Sequence, residues 1–134
     1  MELNKQDILN ILEKYNLNST DCTILSGASL VLQDVKPTTT DIDIAVSDNL
    51  YKKLLSQYDC NFERSIGKHN IYFIDDIINF STNYYDTTNH KKHLGYKVQT
   101  LESILELKKN LNRPKDQKDI EKIINFTKKA VLQK

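Results

Sequence analysis

From Asp41 to Ser47 the chain reads Asp-Ile-Asp-Ile-Ala-Val-Ser, with isoleucine at 42 and 44 and valine at 46 alternating with Asp41, Asp43 and Ala45. Successive side chains of a strand point to opposite faces, so the alternation predicts a strand with one apolar face and one carrying two carboxylates. The apolar face demands a core to cover it. The other face sets two like charges on Cα atoms roughly 6.6 Å apart, which is costly unless a cation or basic groups neutralise them. The carboxylates either lie on an exposed face with no special role or converge on a metal ion.

The segments on either side are shorter and mixed in type. Residues 3–15 place Leu3, Ile8, Leu9, Ile11, Leu12 and Tyr15 close to helical spacing. Cys22–Leu25 predicts a short strand stopped by Ser26-Gly27, and one or two helical turns follow over 28–34. Pro37 and three threonines make an irregular approach to Asp41. Asp48-Asn49 is expected to cap a helix buried through Leu50, Leu54 and Leu55. Strands are expected at 61–65 and 70–75, around Gly67-Lys68. From 77 to 92 tyrosine and asparagine recur with no clean period, which reads as loop or irregular helix. A strand at 96–98, a helix capped by Thr100, a break at 110–113 and a last helix opened by Pro114 complete the chain. Helices and strands intermix, which predicts an α/β or α+β fold, a small mixed sheet flanked by helices with further helices at the C-terminus. The 134 residues fit one domain spanning 1–134.

With 39% hydrophobic and 28% charged residues, the composition is that of a globular chain, not a disordered one. The apolar runs are too short to span a membrane, and the start lacks the pattern of a signal peptide, so a cytoplasmic location is expected. Cys22 and Cys60 lie far apart without histidines at ligand spacing, and they read as reduced, mostly buried residues. Net charge is +1, yet acidic residues gather around 41–48 and at 75–76, and lysines dominate beyond 91. Such segregation suits either a polyphosphate on one side or a solvated lysine-rich surface.

Two further features bear on chemistry. Ser26-Gly27-Ala28-Ser29 lies between a strand and a helix start, where free backbone N–H groups can meet phosphate oxygens. It has neither the spacing of a P-loop nor that of a dinucleotide fingerprint. A third carboxylate from a neighbouring strand would complete a magnesium site with Asp41 and Asp43, and Asp75 or Asp76 is available at a strand end.

The order of these features resembles the nucleotidyltransferase superfamily with the polymerase-beta-like palm, specifically small bacterial members related to abortive-infection toxin nucleotidyltransferases. Ser26-Gly27-Ala28-Ser29-Leu30 resembles the family's Gly-Gly-x-Ala-Leu turn, and Thr39-x-Asp41-Ile42-Asp43 its Thr-x-Asp-Ile-Asp segment. Leu107-Lys108-Lys109, Arg113-Pro114-Lys115-Asp116 and Asp119-Ile120 resemble its C-terminal stretch, so the similarity extends over about residues 22–125. The resemblance implies that Asp41, Asp43 and Asp75 or Asp76 are catalytic, with Asp41, Asp43 and Asp75 holding magnesium or manganese. The strand face counted from Ile71 and Phe73 favours Asp75, and the match of Asp-Ile-Ile to the family's pattern favours Asp76. It further implies that Ser26, Gly27, Ala28, Ser29 and Thr39 lie at the nucleoside triphosphate. Lys108 and Arg113 would meet its phosphates or brace the helical part, while Asp116 and Asp119 would pair with basic groups or cap the last helix.

Three departures stand out: Ser26 at the family's first glycine, Pro37 where many relatives carry arginine, and an unmatched stretch from Asn83 to His93. The implied reaction moves a nucleoside monophosphate to a hydroxyl acceptor, which is an RNA, a protein or a small molecule. A second copy of the chain or a cognate protein is an expected partner. Two other functions fit the same residues: an inactive binding member of a toxin–antitoxin pair, and a small RNA-binding module. Tyr84, Tyr85 and Tyr96 suit base stacking or partial burial. His90 and His93 read as surface residues, not metal ligands.

Overall fold

The computed structural model describes residues 2–18 and 20–132. A mixed seven-stranded sheet in the order β3-β4-β5-β2-β1-β7-β6 carries helices, and two more helices close the C-terminus. The strands are β1 (Cys22–Ile24), β2 (Ile42–Val46), β3 (Cys60–Ile66), β4 (His69–Ile74), β5 (Ile78–Ser81), β6 (His90–His93) and β7 (Tyr96–Gln99). The helices are α1 (Lys5–Lys14), α2 (Ser26–Leu32), α3 (Asp48–Gln57), α4 (Leu101–Leu111) and α5 (Gln117–Leu132), with one turn of 3₁₀ helix at Pro114–Asp116.

Strand β2 runs parallel to β5 and antiparallel to β1, and β1 runs parallel to β7. Its alternation holds: Ile42, Ile44 and Val46 join Ile74, Ile78 and Phe80 in the main core, covered by Ile8 and Leu12 of α1 and Leu54 of α3. The alternate residues Asp41 and Asp43 are left on the opposite face. A smaller core of Leu30, Ile104 and Ile123 holds α4 and α5 against α2.

The stretch 77–92, read from sequence as loop or irregular helix, contains two strands instead. Strand β5 has only four residues, but it lies between β2 and β4 with Ile78 and Phe80 buried, so pairing on both sides outweighs its weak local pattern. Strand β6 pairs only with β7, and its exposed Lys91 and Lys92 mark a charged sheet edge of the kind that resists further pairing. Helix caps follow the expected chemistry with one correction. Thr100 Oγ1 accepts from the Ser103 amide at 3.2 Å as expected, but α3 is capped by Ser47, whose Oγ accepts from the Leu50 amide. Both cysteines are free, Cys22 buried and Cys60 half-buried. Among the described residues no helix is long and apolar enough to cross a membrane.

Candidate functional site

One cleft of about 480 Å³ opens on the face of the sheet that carries the β2 carboxylates. Asp41 and Asp43 form part of its floor, and Asn79 of β5 stands beside Asp43 in parallel register. The Asn79 Nδ2 donates to Asp43 Oδ1 at 2.8 Å and to Asp41 Oδ2 at 3.3 Å, so one amide bridges both carboxylates. Its Oδ1 is buried without a partner. Burial and the neighbouring Asp41 push the Asp43 carboxyl up to about 6, against the opposing pull of the Asn79 bond.

The third carboxylate expected from Asp75 or Asp76 is not at this place. Both residues form the β4–β5 turn in left-handed conformation, φ 53° and 55°, and neither lines the cleft. The Tyr15 hydroxyl donates to Asp75, and burial together with that bond raises the phenol to about 12. The reason is one of register: β5 begins only at Ile78, so the residue that reaches Asp43 is three positions past Asp75–Asp76, and it is an amide. Among the described residues no cluster of three or more His, Cys, Asp or Glu is arranged to hold a metal.

The turn after β1 forms the next wall. Ser26 takes a left-handed φ of 44°, which explains why a glycine suits that position and why serine there carries backbone strain. Its amide donates to Gln99 Oε1 at 2.9 Å, and Gln99 Nε2 donates to Ser103 Oγ, so a buried glutamine ties the turn to α4. Gly27 is required for space: a Cβ there would lie 2.7 Å from Thr39 Oγ1 and 3.3 Å from Lys36 Nζ. Thr39 is itself fixed by two backbone bonds to Leu3, of 2.7 and 3.0 Å. Ser26, Gly27 and Thr39 therefore line the cleft together. Ala28 and Ser29 do not: Ala28 is in the main core, and Ser29 Oγ donates to the Gln99 carbonyl at 2.7 Å beneath the turn.

Lys36, Lys108, Arg113 and Lys115 form the basic side, and Arg64 of β3 also lines the cleft. Lys108 Nζ lies 3.0 Å from Asp116 and 3.4 Å from Asp119, with its side chain only 8% exposed. Arg113 pairs with Asp116 at 2.6 Å, and Lys36 with Asp119 at 3.2 Å. The Arg113 bond holds the Asp116 carboxyl below its usual range, helped by Lys108 and opposed by burial. Of the two roles open to Lys108 and Arg113, the contacts are those of a brace joining α4, the 3₁₀ turn, α5 and the loop after α2.

The chain matches no protein-family model, no curated protein and no solved structure. Two residues important to the cleft, Asn79 and Gln99, escaped the sequence reading. The signal for Asn79 was present: Ile78-Asn79-Phe80-Ser81 repeats the apolar–polar alternation of β2. Gln99 carries no local signal, because its partners are 73 residues before it and four after it.

Proposed function

We propose that the chain is a metal-dependent nucleotidyltransferase that moves a nucleoside monophosphate from a nucleoside triphosphate to a hydroxyl acceptor. The observation that carries this reading is the pair Asp41 and Asp43, bridged by the Asn79 amide and without an ion-pair partner among the described residues, on the floor of a cleft walled by the Ser26-Gly27 turn and Lys36. Magnesium takes oxygen ligands and is commonly held by one or two carboxylates, the rest of its shell coming from phosphate oxygens and water. Two carboxylates fit such an ion when a triphosphate arrives with it. When bound, the ion would offset charge on the phosphate oxygens during transfer.

The chain's own groups have separate tasks. The Ser26-Gly27 turn and Lys36 would receive the phosphates, and Asp41 and Asp43 would hold the ion, which would supply charge neutralisation at the phosphate oxygens. The acceptor oxygen forms a bond to the α-phosphorus while the bond to the bridging α–β oxygen breaks, and pyrophosphate leaves. The acceptor proton passes to a carboxylate oxygen of Asp43 or to water. The acceptor is an RNA, a protein or a small molecule, and a second copy of the chain or a cognate protein is a partner consistent with so small a domain.

Asn79 favours a second reading, in which the cleft binds nucleotide without transferring it, as an inactive member of a toxin–antitoxin pair. An amide beside Asp43 adds no negative charge to hold a second ion. One experiment separates the two. The protein and an Asp41→Asn/Asp43→Asn variant are incubated with α-labelled ribonucleoside triphosphates, magnesium and a cell extract. Label moving to an RNA, protein or metabolite with the wild type alone supports transfer. Magnesium-dependent nucleotide binding without label movement supports the second reading. RNA binding that weakens with salt and survives Asp43→Asn would instead support a small RNA-binding module.

A further inference from the structure

The two edges of the sheet differ. Strand β6 has four residues, His90-Lys91-Lys92-His93, in regular register with β7, and its lysines repel a second copy laid beside it. Strand β3 at the other end is the longest of the sheet, with seven residues, and it pairs on one side only, with β4. Residues 61–66 are all exposed, Phe62 at 57% and Ile66 at 40%, and the strand holds neither lysine nor proline.

A bulge interrupts β3. Phe62 pairs with Tyr72 and Arg64 with Ile71, so Glu63 is an extra residue. The insertion shifts the alternation by one position. Phe62 meets the Tyr72 ring on the core side, with centroids 5.6 Å apart, whereas the sequence neighbours Glu63 and Arg64 both line the cleft. Neither makes an ion pair among the described residues. Bulges commonly protect an edge from pairing. Here the bulge makes the edge complementary to itself.

Two copies of a strand related by a dyad normal to the sheet lie antiparallel, and residues opposite each other share a face. In a regular strand a residue can then never stand opposite its own sequence neighbour. In β3 it can, since Glu63 and Arg64 share a face. With the dyad between them, Glu63 of each copy stands opposite Arg64 of the other, Phe62 opposite Ser65, and Asn61 opposite Ile66. The faces agree at every pair: followed across β4 and β5, Asn61 and Ile66 fall on the cleft side, and Phe62 and Ser65 on the core side.

We propose that β3 is a self-association edge, through which two copies of the chain pair over residues 61–66 into one continuous sheet. Backbone hydrogen bonds supply the affinity, and two ion pairs between Glu63 and Arg64 fix the register. Phe62 and Ile66 gain cover in the pair. The edges left free are the lysine-bearing β6 strands, so assembly closes at two copies. Because Glu63 and Arg64 line the cleft, each copy adds a charged border to the cleft of the other. Nothing in the pairing depends on what the cleft binds.

Sedimentation velocity of the wild type, Glu63→Arg, Arg64→Glu and an equimolar mixture of the two variants tests it. Both residues are exposed, and a circular dichroism melt checks that each variant folds. The wild type is expected to dimerise within a concentration series reaching about 1 mM. Each single variant sets two like-charge pairs across the dyad and should dimerise about tenfold more weakly. The mixture should regain the dimer, because the arginines of one chain then face the glutamates of the other, and so should the double variant Glu63→Arg/Arg64→Glu. A wild type that stays monomeric throughout the series, dimers that withstand both single substitutions, or a mixture and a double variant that stay monomeric would overturn the pairing.

Discussion

Two charged regions border the same cleft, and they are arranged in opposite ways. On the side of the C-terminal helices, Lys36, Lys108 and Arg113 face Asp116 and Asp119, and each of these five groups has a partner of opposite sign. On the sheet, Asp41 and Asp43 share the amide of Asn79 and have no ion-pair partner among the described residues, and burial beside a like charge pushes Asp43 up to about 6 despite the opposing pull of Asn79 and Arg64. Charges that hold a fold together are paired within it. A pair left unmatched costs stability, and the cost is consistent with a partner that comes from outside. Removing a charge should therefore have opposite effects in the two regions.

The largest effect is expected in the paired region. Lys108→Met leaves two carboxylates short of a partner in a buried setting, and urea denaturation should show a loss of about 3 kcal/mol. Removing a charge from the sheet should do the reverse. Asp43→Asn should raise stability at pH 7 by about 2 kcal/mol, since its raised pKa marks a group that the fold prefers neutral. The sign follows from proton binding. Below an unfolded value near 3.8, Asp43 is protonated in both states, and its neutral form costs the fold nothing. Stability falls as pH rises through about 6, where the folded protein must release that proton. The gain from Asp43→Asn should accordingly be present at pH 7 and vanish near pH 4. A loss of stability at pH 7 would break the comparison.

Two smaller changes probe the turn between the regions. Gly27→Ala sets a methyl 2.7 Å from Thr39 Oγ1, and the bonds from Leu3 limit how far Thr39 can withdraw. A loss of about 1–2 kcal/mol is expected by thermal melt. Ser26→Gly relieves a left-handed serine and keeps the amide bond to Gln99, and should gain about 0.5 kcal/mol, strain relief exceeding the entropy glycine adds to the unfolded chain. A loss at this position would mean that the serine hydroxyl makes a contact of its own.

The same contrast explains what could be read from sequence. Strand β2 was legible because Ile42, Ile44 and Val46 alternate with two aspartates over a full strand length, and α4 because Thr100 caps an apolar stripe. That Asp116 and Asp119 pair with basic groups or cap the last helix was implied by the resemblance, and of the two the structure has the pairs, Asp119 reaching back to Lys36. The neighbour of Asp43 was legible only in part: Ile78-Asn79-Phe80-Ser81 alternates, but nothing local says which strand it joins. Strand β5 is four residues long and precedes a polar loop, and it is a strand because β2 and β4 flank it. Asp75 and Asp76 drew attention as carboxylates near a strand end, but left-handed turn geometry takes them away from the cleft. The face of a short strand depends on register, which is fixed by its neighbours and not by its own residues.

The proposed function requires that Asp41 and Asp43 bind a cation that arrives with a triphosphate. Scanning calorimetry of the wild type and of Asp41→Asn/Asp43→Asn, with the four ribonucleoside triphosphates and either magnesium or EDTA, tests it most directly. The account predicts a melting temperature that rises by several degrees for the wild type in magnesium and triphosphate together, and not in EDTA. The double variant should melt higher at the outset and respond to neither. An equal rise in both proteins, or none in the wild type, would contradict it.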